Sequence, residues 1–263
     1  ASPTFLSPTN IVGVFRQIAI NGVLALGMTL VIITGGIDLS VGSLMAITGV
    51  VSAMILENDP NMLAVALIVG IGAAAVVSMW TAVLVAKMKI APFIASLSTM
   101  TIARGIALVL ADGIPHTIKN AEYSQIGNGY LWDASLTGGV GFPILVLILI
   151  VIAVITTIIL YNTKFGRYIY AVGGNEHAAE ASGVNVVKIK FWTYVLNGVL
   201  CGVAGMMLAA RITSGQPNAG DGYELDAITA VIIGGTSMAG GSGKISGTII
   251  GALIIGVLDN GLV

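Results

Sequence analysis

The sequence predicts an all-α integral membrane protein, a polytopic helical bundle of about eight spans, and three observations predict it. Of its 263 residues 56% are hydrophobic and only 9% are charged, with a mean hydropathy of +1.00. A surface that faces water needs about 25% charged residues, so the main solvent of this chain must be lipid. The apolar residues fall into eight runs bounded by polar punctuation, most of them near the roughly 20 residues that a helix needs to cross the hydrocarbon. No run alternates as a barrel strand does, and a lone segment in lipid satisfies its own backbone only as a helix.

The runs are 11–34, 39–56, 62–86, 90–111, 142–161, 191–210, 226–239 and 245–263. The seventh is short and meets "GGTSMAGGSGK", so a broken or partly re-entrant helix is expected over 226–244, and another near 35–40. Lys and Arg set the orientation. One side holds Lys87, Lys89, Lys164, Arg167, Lys188, Lys190 and Lys244, the other only Lys119 and Arg211, and the richer side is cytoplasmic. Residues 1–263 therefore read as a single transmembrane domain with a cytoplasmic loop at 162–190 and an outward-facing loop at 112–141. The chain starts Ala-Ser-Pro without Met and stops at Leu262-Val263 while still hydrophobic, so both ends are expected to be truncated or untraced. "TLVIITGGIDLSVGS" (29–43) echoes "TAVIIGGTSMAGGSG" (229–243), the kind of internal repeat that transporters carry.

Chemistry on this chain is excluded more readily than assigned. No basic cluster dense enough to follow a phosphate backbone is present, so nucleic acid is not an expected partner. Cys201 stands alone in an apolar run and reads as a small core residue. His116 and His177 have no partner at metal-ligand spacing, so neither a metal site nor a catalytic residue is expected. "GGSGKIS" fails as a phosphate loop twice, since Ile245 follows Lys244 and Met238 takes the place of the first Gly. This chain should not hydrolyse ATP itself.

Polar residues inside spans are costly in lipid and are candidates for function. Asp38 reads as the N-cap of a helix from Leu39, and also, with Gly35, Gly36 and Ser40, as a break lining a path for a polar solute. Arg104 lies seven residues before the outer end of its run, where it either snorkels or faces a watery path. Asp226 is a second N-cap candidate, with Glu224 near the outer mouth and Gly234 and Gly235 at the inner end of the same run. Asn21 and Asn197 read as interhelical hydrogen-bonding residues. The pairs Gly198/Gly202 and Gly247/Gly251 mark close helix packing.

The polar stop "GRYIYAVGGNEHAAEASGVNVVKIK" (166–190) holds the remaining signal. Asn175 can cap a short helix, Glu176 lies in its first turn, Ala178, Ala179 and Ala181 give a small-residue surface, and Gly183 can end it. A capped knob of two turns between spans fits a groove on another protein.

"GMTLVIITGGIDLSVGSLMAITG", "TKFGRYIYAVGGNEHAAEASGVNV" and "GYELDAITAVIIGGTSMAGGSGKISGTIIGALIIG" resemble the permease subunits of bacterial ABC sugar importers, over essentially the whole chain. The resemblance implies a multi-pass protein of the inner membrane, with ten spans in the whole subunit. It pairs with a second copy as a homodimer and carries a monosaccharide, ribose before galactose, xylose, arabinose or other polyols. A periplasmic sugar-binding protein delivers the sugar, and a cytoplasmic ATP-binding cassette subunit holds the ATP and Mg. The resemblance makes Gly173, Gly174, Asn175, Glu176, His177, Ala178, Ala179, Glu180, Ala181 and Gly183 the coupling segment that docks into that subunit. The competing reading is an ion-coupled secondary carrier or channel that works without an ATPase, and no run of membrane carboxylates or histidines resembling a proton relay supports it.

Overall fold

A computed structural model describes residues 7–132 and 141–261. Residues 133–140 of the expected outward loop, the first six residues and the last two of the eighth run lie outside the described residues. The described chain is helical almost throughout. It runs α1 (Pro8–Ile33), α2 (Val41–Asn58), α3 (Leu63–Ala86), α4 (Pro92–Leu110), β1 (His116–Thr117), α5 (Ala121–Asn128), α6 (Ile144–Thr157), α7 (Lys164–Gly174), α8 (Glu176–Ala181), α9 (Val186–Ile212), β2 (Ser214–Gly215), α10 (Tyr223–Ile233) and α11 (Ile245–Gly261). One wide π turn, Ile158–Asn162, extends α6. Among the described residues six helices are long and apolar enough to cross a membrane: α1, α2, α3, α4, α6 with its π turn, and α9. The last two expected spans are the shorter α10 and α11.

Burial sorts these helices into two sets. α1 is 89% buried over its apolar window and α9 is 72% buried, against 22% for α3 and α6. A helix that is apolar all round and buried belongs in the middle of a bundle. α1, α2 and α9 therefore form the centre, and α3, α4 and α6 turn residues such as Ile68, Val109 and Val154 outward.

Small residues let the backbones close. A Cβ at Gly198 would come within 2.2 Å of Ser78, and one at Gly202 within 2.9 Å of Ile71, so α9 lies directly on α3. Gly247 and Gly251 meet the Gly234 and Ala230 carbonyls in the same way, seating α11 on α10. Hydroxyls then bridge the helices. Ser78 donates to the Tyr194 carbonyl at 2.7 Å, Thr48 to Gly70 at 3.1 Å and Ser52 to Ala66 at 3.0 Å.

The loop after α4 is tied separately. His116 and Thr117 pair antiparallel with Gly215 and Ser214, His116 Nδ1 lies 2.6 Å from Glu57 Oε2, and Asn128 donates to the carbonyls of Ala210 and Arg211. The sequence reading gave no helix in this loop. Asn120 caps one, its side chain accepting from Tyr123 N at 2.6 Å.

Because Gly251 faces the Ala230 carbonyl, replacing it with Leu should separate α10 from α11 at a cost of about 1–3 kcal/mol. The expected outcome is a lower melting temperature for purified Gly251→Leu protein, with Gly72→Leu, where a Cβ meets nothing within 4 Å, close to the parent.

Candidate functional site

The two stretches that echo each other in sequence end their helices in the same way. After α1, Gly35 N donates to Ile32 O at 2.9 Å and Gly36 N to Val31 O at 3.1 Å. After α10, Gly235 N donates to Ile232 O at 2.9 Å and Thr236 N to Val231 O at 3.2 Å. Both are Schellman ends, and both put glycine where the left-handed backbone requires it, with φ of +77° at Gly35 and +85° at Gly235. The sequence pairing of Val31-Ile32-Ile33 with Val231-Ile232-Ile233 is thus also a pairing of geometry.

Between the first break and α2, Asp38 is fully buried. One carboxylate oxygen accepts from Ser40 N at 2.9 Å and Ser40 Oγ at 2.6 Å, and the other from Asn197 Nδ2 at 2.9 Å. Tyr194 Oη donates to the Ile37 carbonyl at 3.2 Å. The helix begins at Val41 rather than Leu39, so Asp38 braces the turn before it instead of capping it, and Ser40 stands at the cap with its hydroxyl spent on Asp38. Asn197 does link two elements as the sequence suggested. Asn21, though buried, finds no side-chain partner among the described residues.

The polar segment 162–190 folds as two helices in place of one before α9 begins. α7 carries Phe165, Ile169 and Val172 at helical spacing, with Ile169 and Val172 buried, and Thr163 caps it by accepting from Gly166 N. Gly173 and Gly174 therefore end α7 and precede α8. Asn175 caps α8, accepting from Ala178 N at 2.9 Å. A third Schellman end closes α8 at Gly183, whose N–H donates to Glu180 O while Val184 N donates to Ala179 O. Glu176 pairs with Lys190 of α9 at 2.5 Å. His177, Ala178, Glu180 and Ala181 face outward, whereas Ala179 is buried against the bundle. Ala179 therefore leaves the small-residue surface that the sequence suggests, and the exposed face is formed by Ala178 and Ala181, three positions apart.

α7 meets both helix breaks at once. A Cβ on Gly173 would fall 1.7 Å from the Ile33 carbonyl and 2.7 Å from Gly241 N, and one on Gly241 would fall 2.7 Å from Gly174 Cα. Gly241 N donates to Ile33 O at 2.9 Å, joining the loop after α10 to the end of α1. Tyr170 Oη donates to the Gly243 carbonyl at 2.8 Å. Burial pushes the Tyr170 phenol up from its ordinary pKa, so it stays a protonated donor where a free tyrosine would ionise. Backbone, rather than side chain, makes this junction.

The remaining candidates lie along α10 and the loop that enters it. Arg104 Nη1 donates to the carbonyls of Pro217 at 2.8 Å and Ala219 at 2.7 Å, holding the loop that leads into α10. Glu224 lies beside Gly42 in the first turn of α2. Asp226 is not an N-cap, because Gly222, at φ +84°, starts the helix earlier and places Glu224 and Asp226 inside its first turn. Gly234 packs on the Gly247 carbonyl. The expected path candidates thus form two groups, Gly35, Gly36, Asp38 and Ser40 of the first break with Gly234 and Gly235 of the second, and Arg104 with Glu224 and Asp226 at the start of α10. Sequence reading missed Ser43, Asn218 and Asp221 beside Arg104. No local signal marks them.

Helices broken at matching points of two repeated segments are a recurring feature of membrane transport proteins. The chain matches, over residues 10–263, the family described as branched-chain amino acid transport system / permease component, and it belongs to that family. It is 47% identical to the ribose import permease protein of Bacillus subtilis strain 168, over 99% of this chain and 79% of the relative. It is 46% identical to the ribose import permease protein of Escherichia coli K12, over 99% and 80%, and 34% identical to the xylose transport system permease protein of the same strain, over 98% and 79%. No solved structure matches it.

Removing the Tyr170 hydroxyl leaves the Gly243 carbonyl without its donor, at a cost of about 0.5–1.5 kcal/mol. Tyr170→Phe is expected to speed hydrogen exchange at the Gly241 amide by about fivefold, measured by mass spectrometry on the purified protein.

Proposed function

We propose that this chain is the transmembrane permease subunit of a binding-protein-dependent ABC importer, passing a monosaccharide, ribose in the first instance, across the bacterial inner membrane by alternating access. A periplasmic sugar-binding protein delivers the sugar, a second copy completes the pathway, and lipid surrounds the outward-turned faces of α3, α4 and α6. ATP and Mg belong to a cytoplasmic ATP-binding cassette subunit, and the chain itself is no enzyme. The identity to ribose import permeases supports the sugar assignment, above the lower identity to the xylose permease.

The observation that carries the mechanism is the contact of α7 with both helix breaks. A force applied to the exposed face of α8 passes through Asn175 to Gly173 and Gly174, and from there to Ile33 and Gly241. Because glycine backbones touch with no side chain between them, a small displacement of α8 moves the ends of α1 and α10 together. Two-state movement of packed elements is how a local push becomes a change of access.

The test uses the complete importer in proteoliposomes. Glu176→Lys sets two lysines side by side and reverses the charge of the first turn of α8. An exposed pair contributes under about 1 kcal/mol to stability, so the variant should still fold. ATP-driven ribose uptake is expected to fall by about tenfold, equivalent to about 1.4 kcal/mol. Ala178→Trp, which adds bulk to the outward face, should do the same. Unaltered uptake in both variants would remove the coupling role, and uptake by the permease alone without ATPase would replace it with a secondary carrier.

A further inference from the structure

We propose that the cavity between α2, α4 and the loop entering α10 is a binding site for the transported neutral sugar within the permease, an inference that rests on the sugar-import reading above. The cavity measures about 410 Å³, within the range of about 300–1,000 Å³ found for small-ligand sites. Ser43, Thr101, Arg104, Asn218 and Asp221 supply its polar wall, and Met100 and Leu108 part of its apolar one.

Ser43 points to a ligand independently of the charges. It is fully buried, its Oγ makes no hydrogen bond among the described residues, and it lines this cavity. A buried hydroxyl left unpaired costs about 1–3 kcal/mol, and most such groups in folded proteins have a partner. A sugar hydroxyl in the cavity would supply one.

The other groups are built to hold a shape. Arg104 spends Nη1 on the carbonyls of Pro217 and Ala219, the residues flanking Asn218, and so fixes Asn218 and Asp221 while the rest of its guanidinium remains available to donate. It is a positioning residue as much as a contact. The loop is pinned from the other side too, since a Cβ on Gly42 would fall 2.0 Å from the Gly220 carbonyl and 2.8 Å from Glu224 Oε2.

Charge then selects the class of ligand. Arg104 interacts electrostatically with both Asp221 and Glu224, so one cation faces two carboxylates. A phosphate or carboxylate ligand would meet the excess negative charge. A neutral polyol would not, and its hydroxyls can between them donate to Asp221 and accept from Arg104, Asn218, Thr101 or Ser43. Met100 and Leu108 can cover the C–H face of a sugar ring.

The test is equilibrium binding of radiolabelled ribose to the permease–ATPase complex in nanodiscs without its binding protein, alongside uptake by the complete importer. Saturable binding is expected, competed by unlabelled ribose and not by ribose 5-phosphate. Ser43→Ala and Asp221→Asn should each raise the half-saturating concentration by about tenfold, the scale of a lost hydrogen bond to a polar or charged partner. Basal ATPase activity of each variant reports assembly, and if Asp221→Asn fails to assemble, Ser43→Ala, which deletes one oxygen, decides. If the importer transports ribose but the complex binds none, or binds it equally in assembled variants, the site is overturned and the transport reading stands. Equal competition by the phosphate ester overturns the neutral class. An importer that moves no monosaccharide overturns the transport reading and this inference with it.

Discussion

A carbonyl released by the end of a buried helix needs a donor within the protein, and the Ile33 carbonyl at the end of α1 finds it in Gly241 N–H of another broken segment. That one bond ties the two interruptions together. It demands glycine at 241 for the close approach, glycine at 173 so that α7 can lie against the same carbonyl, and left-handed glycine at 35 to turn the chain away. Any side chain at Gly173 would force α7 and α8 off the bundle. The position of α8 is therefore set by how helices 1 and 10 end.

A second pattern repeats where α3 meets the central helices α2 and α9, with a small hydroxyl donating to a neighbour's backbone carbonyl. Ser52, Thr48 and Ser78 fasten α3 along α2 and α9, and the glycine face of α9 brings that helix onto α3. Lipid gives helices little hydrophobic reason to associate, so close packing and such bonds must supply it. α2, α3 and α9 behave as one slab, and Asp38, bonded to Asn197, anchors the α1–α2 turn to it.

What could be read from sequence follows from which forces are local. The run 62–86 became Leu63–Ala86 and 11–34 became Pro8–Ile33, because length and hydropathy are properties of the segment itself. The cap at Asn175 and the end at Gly183 were legible for the same reason. α7 was missed although Phe165, Ile169 and Val172 carried its period, since charged neighbours masked a helix that lies beside the bundle rather than across it. Asp38 was legible as a polar residue in a break, but its partner Asn197 lies 159 positions away. Asp221, Asn218 and Ser43 come from two distant segments and join Arg104 only through folding.

The wide turn at Ile158–Asn162 has a further meaning. A π turn arises where a helix holds one residue more than its α-helical register accommodates, and such turns are found often at functional sites. Directly after it, Gly166 presses against the Leu160 carbonyl, so the bend out of α6 has no slack. Thr163, extended at φ −107°, is the single residue between this turn and α7, so the two together form a rigid elbow that fixes the direction in which α7 leaves α6.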